Sequence, residues 1–125
     1  MAQPIRVLIV DDSARAREGL RALFATWPEI MVVGEAADGQ QAVQLVEEYQ
    51  PHVVLMDLHM PVLDGVQATR QIKQQWPTVT VIALTMYATE QTAALAAGVD
   101  AFVIKGSPPE RLLIALGVGT ASVQP

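Results

Sequence analysis

The chain has 125 residues, a net charge of −5, 51% hydrophobic and 17% charged residues, and no cysteine. This is one domain's worth of sequence, able to bury roughly two-thirds of its unfolded surface, and its composition excludes disorder. It also excludes disulfide staples and thiolate metal sites, is compatible with a reducing cytoplasm, and lacks the basic surface that would grip nucleic acid. The apolar runs are strand-sized, far short of the roughly 20 residues that span a bilayer. The N-terminus has no charged segment leading into an apolar one, so no signal peptide is expected.

The first apolar run, residues 7–10, is β-branched and uninterrupted, like a strand buried on both faces. Asp11, Asp12 and Ser13 follow as capping residues. Ala16, Leu20, Leu23, Phe24 and Trp27 then mark one face of a helix, which Pro28 stops. Residues 30–33 read as a second strand and 34–39 as a turn. A second helix is expected over 41–49, with Ala42, Val46 and Tyr49 on one side and Pro51 ending it. Residues 53–56 form a third strand and 61–65 a loop. Asp64 caps a third helix carrying Val66, Ile72 and Trp76, stopped by Pro77. The fourth strand spans 79–84, a short Ala-rich helix 89–97 with Gly98 at its end, and the fifth strand 101–104. Pro108 and Pro109 open a fifth helix with a stripe of Leu112, Leu113 and Leu116, ended by Gly117 and Gly119.

Five βα units in regular alternation predict an α/β fold with a doubly wound parallel sheet and helices on both faces. Right-handed crossovers bring all strand C-termini to one edge, where such sheets bind ligands. Four of the five strands deliver polar side chains there: Asp11 and Asp12 after the first, Asp57 after the third, Thr85 after the fourth and Lys105 after the fifth. One such residue is ordinary capping or solvation. The conjunction is informative, because folding makes distant positions neighbours.

Three crowded carboxylates repel unless a cation joins them, and a hard, oxygen-seeking ion, above all magnesium, resolves the conflict. Lys105 supplies a compact positive charge for a phosphate oxygen and Thr85 a hydroxyl donor. Phosphoryl transfer needs positioning and charge neutralisation, and a carboxylate can itself be the nucleophile, giving an aspartyl phosphate. His52 and His59 read as solvated loop histidines. Asp64-Gly65 reads as a cap and a close-approach glycine, and Glu47, Glu48, Arg70 and Lys73 as surface charges.

Leu8-Ile9-Val10-Asp11-Asp12, Met56-Asp57-Leu58-His59-Met60-Pro61 with Asp64-Gly65, Ala83-Leu84-Thr85 and Phe102-Val103-Ile104-Lys105 together resemble the receiver domain of bacterial two-component response regulators. The resemblance runs from about Ile5 to Leu116. Each motif alone is weak, but four in order, each after a strand, are specific. Thr85-Met86-Tyr87 further resembles the NarL/FixJ class, which usually carries a helix-turn-helix DNA-binding domain. The resemblance implies a flavodoxin-like sheet of order 2-1-3-4-5 with five helices. It implies Asp57 as phosphoacceptor, and Mg2+ held by Asp11, Asp12, Asp57 and the backbone carbonyl of His59. Lys105 becomes the lysine that pairs with acceptor and phosphate, and Thr85 and Phe102 the switch pair. The implied donor is a sensor histidine kinase, replaceable by a small acyl phosphate. The implied response is a change of the surface built by the fourth helix, fifth strand and fifth helix, with a homodimer forming there or on a neighbouring face.

On this reading residues 1–117 are the receiver and 118–125 a tail or the start of a linker to an output domain not contained in these residues. The protein is cytoplasmic, with no membrane or direct nucleic-acid contact by this segment, and it regulates transcription. Its only catalysis is its own phosphorylation and slow dephosphorylation. Three features depart from the family pattern: Phe102 has no hydroxyl, Met86 is larger than the usual residue after the switch threonine, and Gly106 replaces a frequent polar residue. Other functions fit less well. Aspartyl-phosphate phosphatases place a second acid where His59 stands, a flavodoxin-like cofactor module wants a Ser/Thr/Gly-rich loop where Asp11-Asp12 stand, and a degenerate receiver lacks one of the residues kept here.

Overall fold

A computed structural model describes residues 3–60 and 62–118. Strands β1 (Ile5–Val10), β2 (Ile30–Ala36), β3 (Val53–Asp57), β4 (Thr80–Thr85) and β5 (Ala101–Ile104) alternate with helices α1 (Ala14–Phe24), α2 (Gly39–Tyr49), α3 (Gly65–Gln75), α4 (Gln91–Ala97) and α5 (Pro109–Ala115). All strand pairs are parallel, in the order β2-β1-β3-β4-β5. The expected fold class, strand order and helix count are therefore those observed. The ends expected at Gly119 and in residues 119–125, and Pro61 of the third motif, lie outside the described residues. No helix among the described residues is long and apolar enough to cross a membrane.

Strand alternation splits the core into two layers. Leu8, Val10, Val54, Met56, Val81 and Ala83 point to the face covered by α2, α3 and α4, whose Ala42, Val46, Ala68, Ile72 and Ala94 pack there. Val7, Ile9, Val53, Leu55, Ile82 and Leu84 point to the other face, beneath Phe24 of α1 and Leu112 and Leu116 of α5. With both faces covered, the central strands need no polar alternation. Each fully buried Val, Leu or Ile stabilises the fold by about 1.5–3 kcal/mol. Ser13, Asp38 and Asp64 cap α1, α2 and α3 through their side-chain oxygens.

The structure corrects four expectations. Gly34 does not open a turn: β2 continues to Ala36, and Val33 bulges where the register passes from Val7 opposite Val32 to Leu8 opposite Gly34. Lacking a Cβ, Gly34 lets the Tyr49 ring lie close over the strand. α1 stops at Phe24, and Trp27 lies beyond the helix with its ring 5.6 Å from that of Phe24. Residues Ala88–Glu90 form a 3₁₀ turn before α4, where a continuous helix was expected. Lys73 is not a free surface charge. Its ammonium donates to the carbonyls of Pro77 (3.2 Å) and Val79 (2.8 Å) and to Asp100 Oδ2 (2.8 Å), which also accepts from Val81 N. It thus ties the end of α3 to the start of β4. Lys73→Met is expected to cost about 1–2 kcal/mol, read as a fall in the thermal unfolding midpoint.

Candidate functional site

The C-terminal edge of the sheet gathers Asp11, Asp12, Asp57, Thr85 and Lys105, as the strand-end pattern anticipates. Asp57 is the last residue of β3 and only 4% exposed. Its Oδ1 accepts from the backbone N–H of His59 at 3.1 Å. Asp11 follows β1, is 2% exposed, and accepts from Ser13 N (2.9 Å) and Lys105 Nζ (2.9 Å). Asp12 is exposed. One carboxylate oxygen from each of the three lies within 4.8 Å of the others.

Lys105 bridges two of these acids, 2.9 Å from Asp11 Oδ2 and 3.5 Å from Asp57 Oδ2. Asp11, not Asp57, is its nearer partner. Burial works against the ammonium, but the hydrogen bond to Asp11 and the charges of Asp57 and Asp11 outweigh it, so its pKa is raised and it stays protonated at neutral pH. The Asp57 carboxyl is also pushed up from its ordinary 3.8. Burial is the chief cause, and Asp11 and Asp12 add to it, against the His59 N–H and Lys105. Raised in the fold, this pKa means that the ionised form costs stability at neutral pH. The cost is relieved as pH falls, because the folded protein takes up the proton before the unfolded chain does. In chelated, metal-free buffer Asp57→Asn should therefore be the more stable protein at pH 7, by roughly 1 kcal/mol, the scale of one relieved like-charge contact. The gain should shrink below the ordinary carboxylate range, and urea unfolding at both pH values checks this.

The surrounding frame is built of backbone. Gly65 starts α3 directly against the end of β3: a Cβ there would lie 2.2 Å from the Asp57 carbonyl oxygen and 2.7 Å from Leu58 Cα. Arg17 Nη1 donates to the Asp11 carbonyl at 2.6 Å while its Nε pairs with Glu35 at 3.0 Å, fixing α1 and β2 to the acidic corner. Thr85, the last residue of β4, is 1% exposed. Its hydroxyl donates to Glu90 and accepts from Tyr87 N at 3.2 Å. Glu90 also receives His59 Nε2, so His59 is not merely solvated, and its ring meets Tyr87 edge-on at 5.4 Å. Phe102 of β5 is half-buried against the layer of α2, α3 and α4.

Arg17 and Glu90 were not legible as site residues. An acid in the first turn of a helix is ordinary, and nothing local points Glu90 to His59.

The donor set is all oxygen, two of three carboxylates are buried and one cation neutralises only part of their charge. This suits a hard divalent ion and an anionic ligand beside it.

The sequence matches the response regulator receiver domain family over residues 7–117, and the chain belongs to that family. It is therefore a regulatory module of two-component systems, related to transcription regulators. It is 44% identical to the uncharacterized transcriptional regulatory protein YhcZ of Bacillus subtilis, over 87% of this chain and 52% of that protein. It is 38% identical to the transcriptional regulatory protein DegU of Brevibacillus brevis, over 97% of this chain and 53% of that protein. The crystal structure of a LuxR-family two-component response regulator from Aurantimonas sp. SI85-9A1 superposes with a TM-score of 0.85 at 35% identity, over 93% of this chain and 88% of that one. The chain thus spans about half the length of these curated relatives.

Proposed function

We propose that the chain is a phosphorylation-activated switch in a two-component phosphorelay, with Asp57 as phosphoacceptor. The observation that carries this is the cluster itself: three carboxylates within 4.8 Å, with one ammonium between two of them, at the ligand-binding edge of a doubly wound sheet. Asp11, Asp12, Asp57 and the His59 carbonyl would hold Mg2+. When bound, the ion neutralises charge on the incoming phosphoryl oxygens. A structural neighbour from Borrelia burgdorferi, 26% identical with a TM-score of 0.84, is described as a CheX-CheY-BeF3-Mg+2 complex, which supports both the metal and the phosphoryl site.

An Asp57 carboxylate oxygen attacks phosphorus in line, and the bond from phosphorus to the donor breaks. The donor is the phosphohistidine of a sensor kinase, or a small acyl phosphate. The electron pair of that bond stays with the leaving group. Lys105, already 3.5 Å from Asp57, moves onto a phosphoryl oxygen, and the Thr85 hydroxyl donates a hydrogen bond to another. Phe102 follows Thr85, altering the surface of α4, β5 and α5, where a second copy or a partner docks. Self-catalysed phosphorylation and slow dephosphorylation are the only chemistry in this reading. Residues 1–117 are the receiver and 118–125 lead towards a DNA-binding output domain. The compartment is the cytoplasm, and the receiver itself touches neither DNA nor membrane.

Incubation with a small acyl phosphate and Mg2+ should add one phosphoryl group, visible as a retarded band on a phosphate-affinity gel. Chelation should prevent it. A band of equal intensity without metal would refute the shared-carboxylate mechanism.

A further inference from the structure

Glu90 stands outside the acceptor, metal and lysine set, yet its carboxylate holds two groups of the site at once. It accepts the hydroxyl proton of Thr85 and the Nε2 of His59. Thr85 ends β4, and His59 lies in the loop after β3, with its backbone N–H on Asp57. One side chain of the 3₁₀ turn thus clamps the end of β4 to the loop that follows Asp57.

Donor arithmetic makes the clamp consequential. A threonine hydroxyl has one proton, and an ionised carboxylate can only accept. Tyr87 N already donates into Thr85 Oγ1, which leaves the proton to Glu90. That proton cannot serve Glu90 and a phosphoryl oxygen together.

We infer that Glu90 is a positioning residue that competes with the phosphoryl group for the Thr85 hydroxyl and so opposes the activated state. This rests on Asp57 being the phosphoacceptor. The bond to Glu90 Oε1 must break before Thr85 can turn to the phosphate, while His59 sits on the other oxygen, Oε2. A ligand shifts a conformational equilibrium only by the difference in its contacts between the two states, so an interaction made only in the resting state subtracts from that shift.

The test is a titration of the Mg2+-saturated protein with beryllofluoride, a phosphoryl mimic, followed by calorimetry. Four proteins are compared: parent, Glu90→Ala, Thr85→Ala and the double variant. Glu90→Ala should bind the mimic about tenfold more tightly, the scale of one hydrogen bond to a charged group. Glu90→Gln keeps the side chain's length but not its charge and should gain by a smaller factor. Affinity for Mg2+ alone should not change in either variant. In the Thr85→Ala background, removing Glu90 should change nothing. Unchanged or weakened mimic affinity in both Glu90 variants overturns the inference. So does a gain that persists without the Thr85 hydroxyl, since the effect would then be charge repulsion alone. Failure of the parent to bind the mimic with Mg2+ present overturns the phosphoacceptor reading, and the inference with it.

Discussion

Replacing Asp12 with alanine is expected to weaken Mg2+ binding at least ~100-fold, beyond the loss typical of groups that only support a metal ligand. Asp11 and Asp57 are engaged by the fold: Asp11 accepts from Ser13 N and Lys105, and Asp57 from His59 N. Asp12 is the exposed member, with a carboxylate oxygen within 4.8 Å of the other two. Its charge adds to the repulsion felt by Asp57, so the metal-free fold loses nothing when it goes. Asp12→Ala should therefore unfold at the same temperature as the parent or slightly above it, while phosphorylation by an acyl phosphate falls in step with metal affinity. Calorimetric titration with Mg2+ measures the first effect directly. Undiminished binding would remove Asp12 from the ligand set.

Gly65→Ala should be strongly destabilising. The added Cβ would meet three backbone atoms: the Asp57 carbonyl oxygen at 2.2 Å, Leu58 Cα at 2.7 Å and the Asp57 carbonyl carbon at 3.0 Å. A side chain could rotate away, but backbone at the end of a buried strand cannot. Either α3 lifts off β3 and breaks the bond from Gly65 N to Leu58 O, or the end of β3 bends. The cost should reach ~3 kcal/mol, the upper end for overpacking. The surviving folded protein should bind Mg2+ poorly, because the displaced segment carries Asp57. Gly19→Ala is the control. It lies in α1 with nothing within 4 Å of the added atom and should stabilise by about 0.5–1 kcal/mol through helix propensity. Urea unfolding of both variants decides, and two indistinguishable midpoints would contradict the packing argument.

The fold was legible because local and global signals agree. Runs such as Val7 to Val10 and Val53 to Met56 are uninterrupted because both sheet faces are covered. Pro28, Pro51 and Pro77 fall between elements, in keeping with the ring's exclusion from helix interiors. The cluster of Asp11, Asp12, Asp57 and Lys105 was legible because parallel topology alone carries strand ends to one edge. What stayed hidden was non-local. Gly34 looks like a turn residue because the bulge at Val33 and the Tyr49 ring over it depend on other segments. Lys73 looks like a solvated charge because its three acceptors come from the turn after α3 and from the residue before β5. Glu90 looks like an ordinary helix-start acid because His59 reaches it only once β3 and β4 are paired.

On phosphorylation, the phosphoryl group is expected to reside on Asp57. An acyl phosphate on a carboxylate side chain is reduced by borohydride to an alcohol, which marks the acceptor permanently. After treatment with a small acyl phosphate and Mg2+, then borohydride, tandem mass spectrometry of the digest should find homoserine at position 57 and aspartate at positions 11 and 12. Asp57→Ala should give no reduced residue. Homoserine at another position in the parent, or a phosphoryl adduct that survives in Asp57→Ala, would contradict the account.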